Sequence, residues 1–127
     1  MIIEDRDWLR ILPAGYAPGQ SLQQMAGKWL CFGKQWEIRS FIPRIERLVE
    51  DGTFKAAKIS KKHSRSNSSE RKECVLCVYT SDNPEEKSAV YEKLQQIGLR
   101  PKSWKSDMET LLDLGRRAAV KTTGFDC

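Results

Sequence analysis

Two lysines, Lys58 and Lys105, and four aromatic residues, Trp29, Trp36, Tyr79 and Trp104, have the chemistry to hold a ligand. An ammonium group attracts phosphate, and an aromatic face stacks a base, as in single-strand and nucleotide binders. Charge is concentrated around Lys58. From Phe54 to Lys72 stand the cations Lys55, Lys58, Lys61, Lys62, Arg65, Arg71 and Lys72 against one anion, Glu70. The whole chain of 127 residues carries a net charge of only +5, so the rest of it is close to neutral. A local field of this kind favours anionic partners. The competing reading is a solvated basic loop, because charge runs commonly serve solubility. For the aromatic set the competing reading is core packing.

Other chemistries have less to draw on. Cys74-Val75-Leu76-Cys77 matches a C-x-x-C pattern, but it falls in an apolar run that reads as a strand. Side chains three apart on a strand point to opposite faces, so the two thiols are expected to be packing residues and no metal site is expected. The one histidine, His63, lies in a polar loop. There is no Gly-rich phosphate loop, no Ser/His/Asp set and no paired-carboxylate signature. No catalytic residue and no cofactor is therefore assigned. No apolar run approaches the roughly 18 residues of a membrane span. The start of the chain, Met1-Ile2-Ile3-Glu4-Asp5-Arg6-Asp7, lacks the apolar core of a signal peptide. Four cysteines without such a signal point to reduced thiols and a cytoplasmic setting.

These residues need elements to position them. Residues 1–27 read as an irregular segment packing on the domain, punctuated by Pro13, Gly15, Pro18 and Gly19. A single domain is expected over 28–115. Lys28–Gly33 is the first strand. Ser40 is placed as the N-cap of a helix through Phe41, Ile42, Ile45, Leu48 and Val49, ended by Gly52. Phe54–Ser60 is the second strand. On it Ala57 and Ile59 face the helices, leaving Ala56, Lys58 and Ser60 on the other side. Residues 61–72 contain no apolar side chain and read as a flexible basic loop. Cys74–Thr80, apolar at nearly every position, is a central strand covered on both faces. Asn83-Pro84-Glu85-Glu86 starts a helix that Gly98 ends. Pro101–Lys105 is the fourth strand, and Ser106 to Glu109 opens a last short helix. Residues 116–127 form a basic tail. If Lys105 ends its strand on the side of Lys58, the two ammoniums converge on one anion.

Taken in order, Gly27-Lys28-Trp29-Leu30, Ala56-Ala57-Lys58-Ile59-Ser60, Val75-Leu76-Cys77-Val78-Tyr79-Thr80, and Trp104-Lys105-Ser106-Asp107 resemble a known family. It is the basophilic-leukaemia-expressed-protein family, also described as phosphothreonine-lyase-domain proteins and similar in fold to the cap-binding translation initiation factor 4E. The resemblance spans roughly residues 27–114. It singles out Lys58, Tyr79 with Thr80, Trp104 with Lys105, and Asp107. The sequence departs from the family in its long polar loop between strands two and three. It departs again in Met108-Glu109-Thr110-Leu111-Leu112, where the family has an aromatic run.

The fold class expected is thus α+β, an antiparallel-rich sheet with helices on one face in the order β-α-β-β-α-β-α. The arrangement implied is initiation-factor-4E-like, with a ferredoxin-like one as the alternative. The function expected is a small binding module for an anionic ligand (nucleotide, RNA or phosphorylated peptide) on a basic, aromatic-lined sheet face. Lys58 and Lys105 would contact phosphate, with Tyr79, Trp104, Trp29 and Asp107 framing or orienting the site. The alternatives are an enzyme acting on phosphorylated substrates, and a protein-interaction module whose basic loop docks on an acidic partner.

Overall fold

A computed structural model of the chain describes residues 1–4, 6–15, 26–61 and 73–106. It is an α+β fold: one six-stranded sheet in which all neighbours are antiparallel, with three helices on one face. The strands are β1 (Ile2–Glu4), β2 (Trp8–Ile11), β3 (Gly27–Lys34), β4 (Ala56–Ser60), β5 (Glu73–Thr80) and β6 (Ser103–Ser106). The helices are α1 (Gln35–Ser40), α2 (Ile42–Glu50) and α3 (Pro84–Gln96). Across the sheet the strands run β1-β2-β4-β5-β3-β6. Taken alone, β3, β4, β5 and β6 form a split β-α-β arrangement, with β5 inserted between β3 and β4, and β3 between β5 and β6.

Two parts of the architecture differ from the sequence reading. Residues 2–4 and 8–11, expected to be irregular, form a hairpin that adds β2 to the edge of β4. Alternation explains it: Leu9 and Ile11 join the core while Arg10 pairs with Lys58 on the other face. The first helix also begins earlier, at Gln35, and breaks at Phe41 into α1 and α2. Pro43 has no N–H to continue the ladder to Arg39, so Ser40 ends α1 and does not cap α2. The other elements fall within three residues of expectation. Gly52 and Gly98 take the left-handed conformation after their helices, at φ 87° and 103°. The expected loop beyond Lys61, the helix after Ser106 and the tail lie outside the described residues.

One core fills the space between sheet and helices. Leu9, Ile11, Cys31, Ala57, Ile59, Leu76 and Val78 meet Ile38, Ile45, Val49, Val90 and Leu94. The alternate residues of the same strands, Trp8, Leu30, Val75 and Cys77, form a second buried cluster on the opposite face, with Phe32 and Tyr79 packed against it. Strand β5 is thus buried on both sides, as its continuous apolar run requires. Cys74 and Cys77 fall on opposite faces of it, and Cys31, Cys74 and Cys77 are free, buried thiols. No helix among the described residues is long and apolar enough to cross a membrane.

Candidate functional site

The sheet divides the expected ligand residues between its two faces. Lys58, Tyr79 and Lys105 lie opposite the helices. Register proves it: Ala56 pairs with Tyr79, Tyr79 with Lys28, and Lys28 with Lys105, and cross-strand partners share a face. Trp29 and Trp104, paired with each other, lie on the helix side. Asp107 is outside the described residues. Trp36, at the start of α1, is 71% exposed and apart from both groups.

Lys58 and Lys105 share a face but are not neighbours, which corrects the expected convergence. Strands β5 and β3 stand between β4 and β6, three spacings or roughly 14 Å. Lys58 meets aromatic rings instead. Its Nζ lies 4.0 Å from the Trp8 ring centroid and 5.9 Å from that of Tyr79. On the Tyr79 ring a second ammonium, Lys28, approaches to 5.8 Å. Lys28 is buried at 3% exposure, whereas Lys58, Tyr79 and Lys105 are half-buried. The centre of this face is closed, because Val75 and Cys77 have no exposed surface.

The helix side carries a concavity of about 520 Å³ between α3 and the β3–β6 edge. Trp29, Tyr91 and Trp104 supply its rings, and Pro84, Lys87, Ser88, Glu92 and Gln95 complete the lining. Each ring is held by its polar atom. Trp29 Nε1 donates to the Lys87 carbonyl at 3.0 Å, and Trp104 Nε1 donates to Thr80 Oγ1 at 3.0 Å. Gln95 Nε2 donates to the Tyr91 hydroxyl at 3.2 Å. The Trp29 and Tyr91 rings touch at 5.0 Å between centroids, tilted by 49°. Lys87 Nζ sits 4.0 Å over the Trp104 ring. With the indole N–H groups turned inward, what the groove offers is ring surface, the Lys87 ammonium, the Glu92 carboxylate and the polar side chains of Ser88 and Gln95. A volume of this size, mostly apolar and with three aromatic rings in its lining, suits a small ligand.

The local sequence explains how α3 builds its wall. The Asn83 side chain accepts from the N–H groups of Glu85 and Glu86, fixing the helix start. Lys87 and Tyr91, four apart, then share one face above the sheet edge. Glu86 is drawn away by Lys55 at 3.5 Å and by the Ser81 N–H.

Sequence reading singled out Trp29 and Trp104 but not Tyr91, Lys87, Trp8 or Lys28. The i, i+4 spacing of Lys87 and Tyr91 was a usable signal. Lys28 required the strand order. The titration shifts lie elsewhere. Burial pushes the Cys31 thiol up to about 12 and raises Cys74, the latter opposed by a hydrogen bond from Ser60 and the charge of Arg39. Hydrogen bonds from Thr53 lower Asp51. None of these groups lines the groove. No known protein-family model matches the chain, and no curated protein matches its sequence.

Proposed function

We propose that this protein is a non-enzymatic binding module for a phosphate-bearing ligand of nucleotide or RNA type, whose planar ring lies in the groove of Trp29, Tyr91 and Trp104. The observation that carries the reading is that three rings line one groove and are held in place by their own polar atoms. Ring faces fixed in this way stack a base without first losing side-chain freedom. Lys87 at the rim adds a positive charge for phosphate, and Glu92 and Ser88 add polar partners for a base edge. The resemblance to a cap-binding fold points the same way, with less weight than this geometry. Free thiols at Cys31, Cys74 and Cys77 support a reducing, cytoplasmic setting.

Titrating the tryptophan fluorescence of the full chain with AMP, GMP, CMP and UMP tests the proposal. Saturable quenching by at least one is expected. Stacking contributes roughly 1–3 kcal/mol per base, so Tyr91→Ala weakens binding about 5- to 150-fold. Absence of quenching by all four and by an oligouridylate, or unchanged affinity in Tyr91→Ala, defeats the assignment. Mass spectrometry of phosphopeptides after incubation checks the non-enzymatic part, because a dehydrated product residue would reveal a lyase.

A further inference from the structure

We infer, resting on the nucleotide reading of this groove, that Lys87 decides which ligands enter it: the side chain covers the Trp104 ring until a phosphate draws it off, so a base is admitted only together with its phosphate.

Trp104 has two faces, and neither is open. One lies on β3, where a Cβ at Gly27 would overlap Cζ2 and Cη2 of the indole, and the ring is fixed there by its N–H bond to Thr80. Over the other, Lys87 Nζ stands 4.0 Å from the ring centroid. A base stacked on that face needs the space the ammonium fills. Trp29 and Tyr91 offer less free surface, because their rings lean on each other at 5.0 Å and 49°. Stacking in the groove therefore depends on where the Lys87 side chain lies.

The ring is what holds that side chain. Glu86, its neighbour in sequence, is engaged by Lys55 at 3.5 Å and by the Ser81 N–H. Glu92, in the same lining, makes no ion pair with it, and among the described residues Lys87 has no carboxylate partner. A cation–π contact of a half-buried lysine is weak beside a charge-assisted hydrogen bond to phosphate. The ammonium thus gains by changing partner when a phosphate arrives. The backbone does not have to follow. The Lys87 N–H is bonded to the Asn83 carbonyl at 3.0 Å, and the Lys87 carbonyl accepts from Trp29 Nε1 at 3.0 Å. Only the flexible stem moves, and α3 and the Trp29 ring keep their places.

Ligands with and without phosphate feel this lysine with opposite sign. A nucleoside has to displace the ammonium and gives it nothing in return. A nucleotide displaces it and receives it on the phosphate. A lysine that served only as a phosphate contact would strengthen nucleotide binding and leave nucleoside binding untouched, so the nucleoside is the diagnostic ligand.

Fluorescence titration of the full chain with AMP, GMP, CMP and UMP, each beside its nucleoside, tests the assignment in the wild type, Lys87→Ala and Lys87→Arg. The wild type is expected to bind a monophosphate at least about tenfold tighter than its nucleoside, the size of one charged hydrogen bond. Lys87→Ala loses that preference from both sides. The monophosphate binds about tenfold more weakly. The nucleoside binds about two- to fivefold more tightly, which is the size of the cation–π contact it no longer has to break. Lys87→Arg keeps the preference, because a guanidinium also stacks on rings and also binds phosphate. Nuclear magnetic resonance of the wild type gives a readout that needs no variant: the Lys87 Cε protons, lying over the indole, are shifted upfield in the protein alone and return toward their ordinary position at saturation with the monophosphate. Unchanged or weaker nucleoside binding in folded Lys87→Ala, an Lys87→Arg variant that behaves like Lys87→Ala, or an upfield shift that persists at saturation would each overturn the inference and leave the nucleotide reading standing. Absence of quenching by all four monophosphates in both the wild type and Lys87→Ala overturns the nucleotide reading itself, and the role of Lys87 falls with it.

Discussion

The Trp104 indole lies against the backbone of Gly27, its diagonal neighbour on the adjacent strand β3, so closely that a Cβ at residue 27 would overlap Trp104 Cζ2. Glycine here is a matter of space. It lets the indole lie flat on β3 and reach Thr80 with its N–H. Gly27→Ala is therefore expected to displace the ring. The expected cost is about 1–3 kcal/mol of stability, typical of overpacking. A shift of the urea midpoint together with loss of nucleotide quenching would register both effects. An unchanged midpoint would show that the indole has another place to go.

Lys58 is held by rings, and among the described residues it has no carboxylate partner. Its ammonium over Trp8 ties the N-terminal hairpin to the central sheet. Lys58→Met keeps the aliphatic stem and removes the charge, so about 0.5–1 kcal/mol should be lost. Lys58→Arg should retain most of it, because guanidinium also stacks on aromatic faces. Urea unfolding of the three proteins at low and high salt decides the matter. A loss that persists at high salt marks the ring contact, whereas a loss that vanishes marks diffuse surface charge.

Asn83 supports the groove from a distance. Its side chain accepts from the N–H groups of Glu85 and Glu86, and the helix it starts carries both Lys87 and Tyr91. Asn83→Ala is expected to cost about 1 kcal/mol, and Asn83→Asp to cost little, since either side chain caps. The same Ala variant should weaken nucleotide quenching less than Tyr91→Ala does, because it loosens the wall without removing a ring.

Much of this fold is legible in the chain because local rules and global packing agree. Asn83-Pro84 marks a helix start, Gly52 and Gly98 mark helix ends, and the apolar run at Cys74–Thr80 marks a strand buried on both faces. The facing of Lys58 follows from alternation with Ala57 and Ile59. The hairpin of β1 and β2 is illegible for a physical reason. Trp8, Leu9, Ile11 and Leu12 satisfy helical and strand spacing about equally, and the contact with β4 that decides between them is 46 residues away or more. The site is harder still. That Lys58 and Lys105 are separated by Tyr79 and Lys28 depends on strand order, which no local pattern encodes. The division of Trp104 from Lys105 across two faces does follow from alternation, and it is what parts the groove from the basic face.

Cys31 makes the stability of the fold depend on pH in a definite direction. It lies at 1% exposure on β3 beneath the helices, and burial raises its thiol from 9.0 to about 12. Below pH 9 the thiol is protonated in both folded and unfolded chains and its contribution is fully present. Between pH 9 and about 12 the unfolded chain releases the proton while the folded one holds it, so the unfolded state gains and stability falls. The slope from this group is at most about 1.4 kcal/mol per pH unit. Cys74, also raised by burial, acts in the same direction. Comparing urea midpoints of the wild type and Cys31→Val from pH 8 to pH 11 isolates the effect. The wild type should lose stability more steeply above pH 9, with the two curves running parallel below it. Native-state alkylation at pH 8, read by peptide mass spectrometry, should leave Cys31 unmodified on the timescale that labels it completely in urea. Rapid labelling of Cys31 without denaturant would place that thiol in contact with water and remove the basis of the pH dependence.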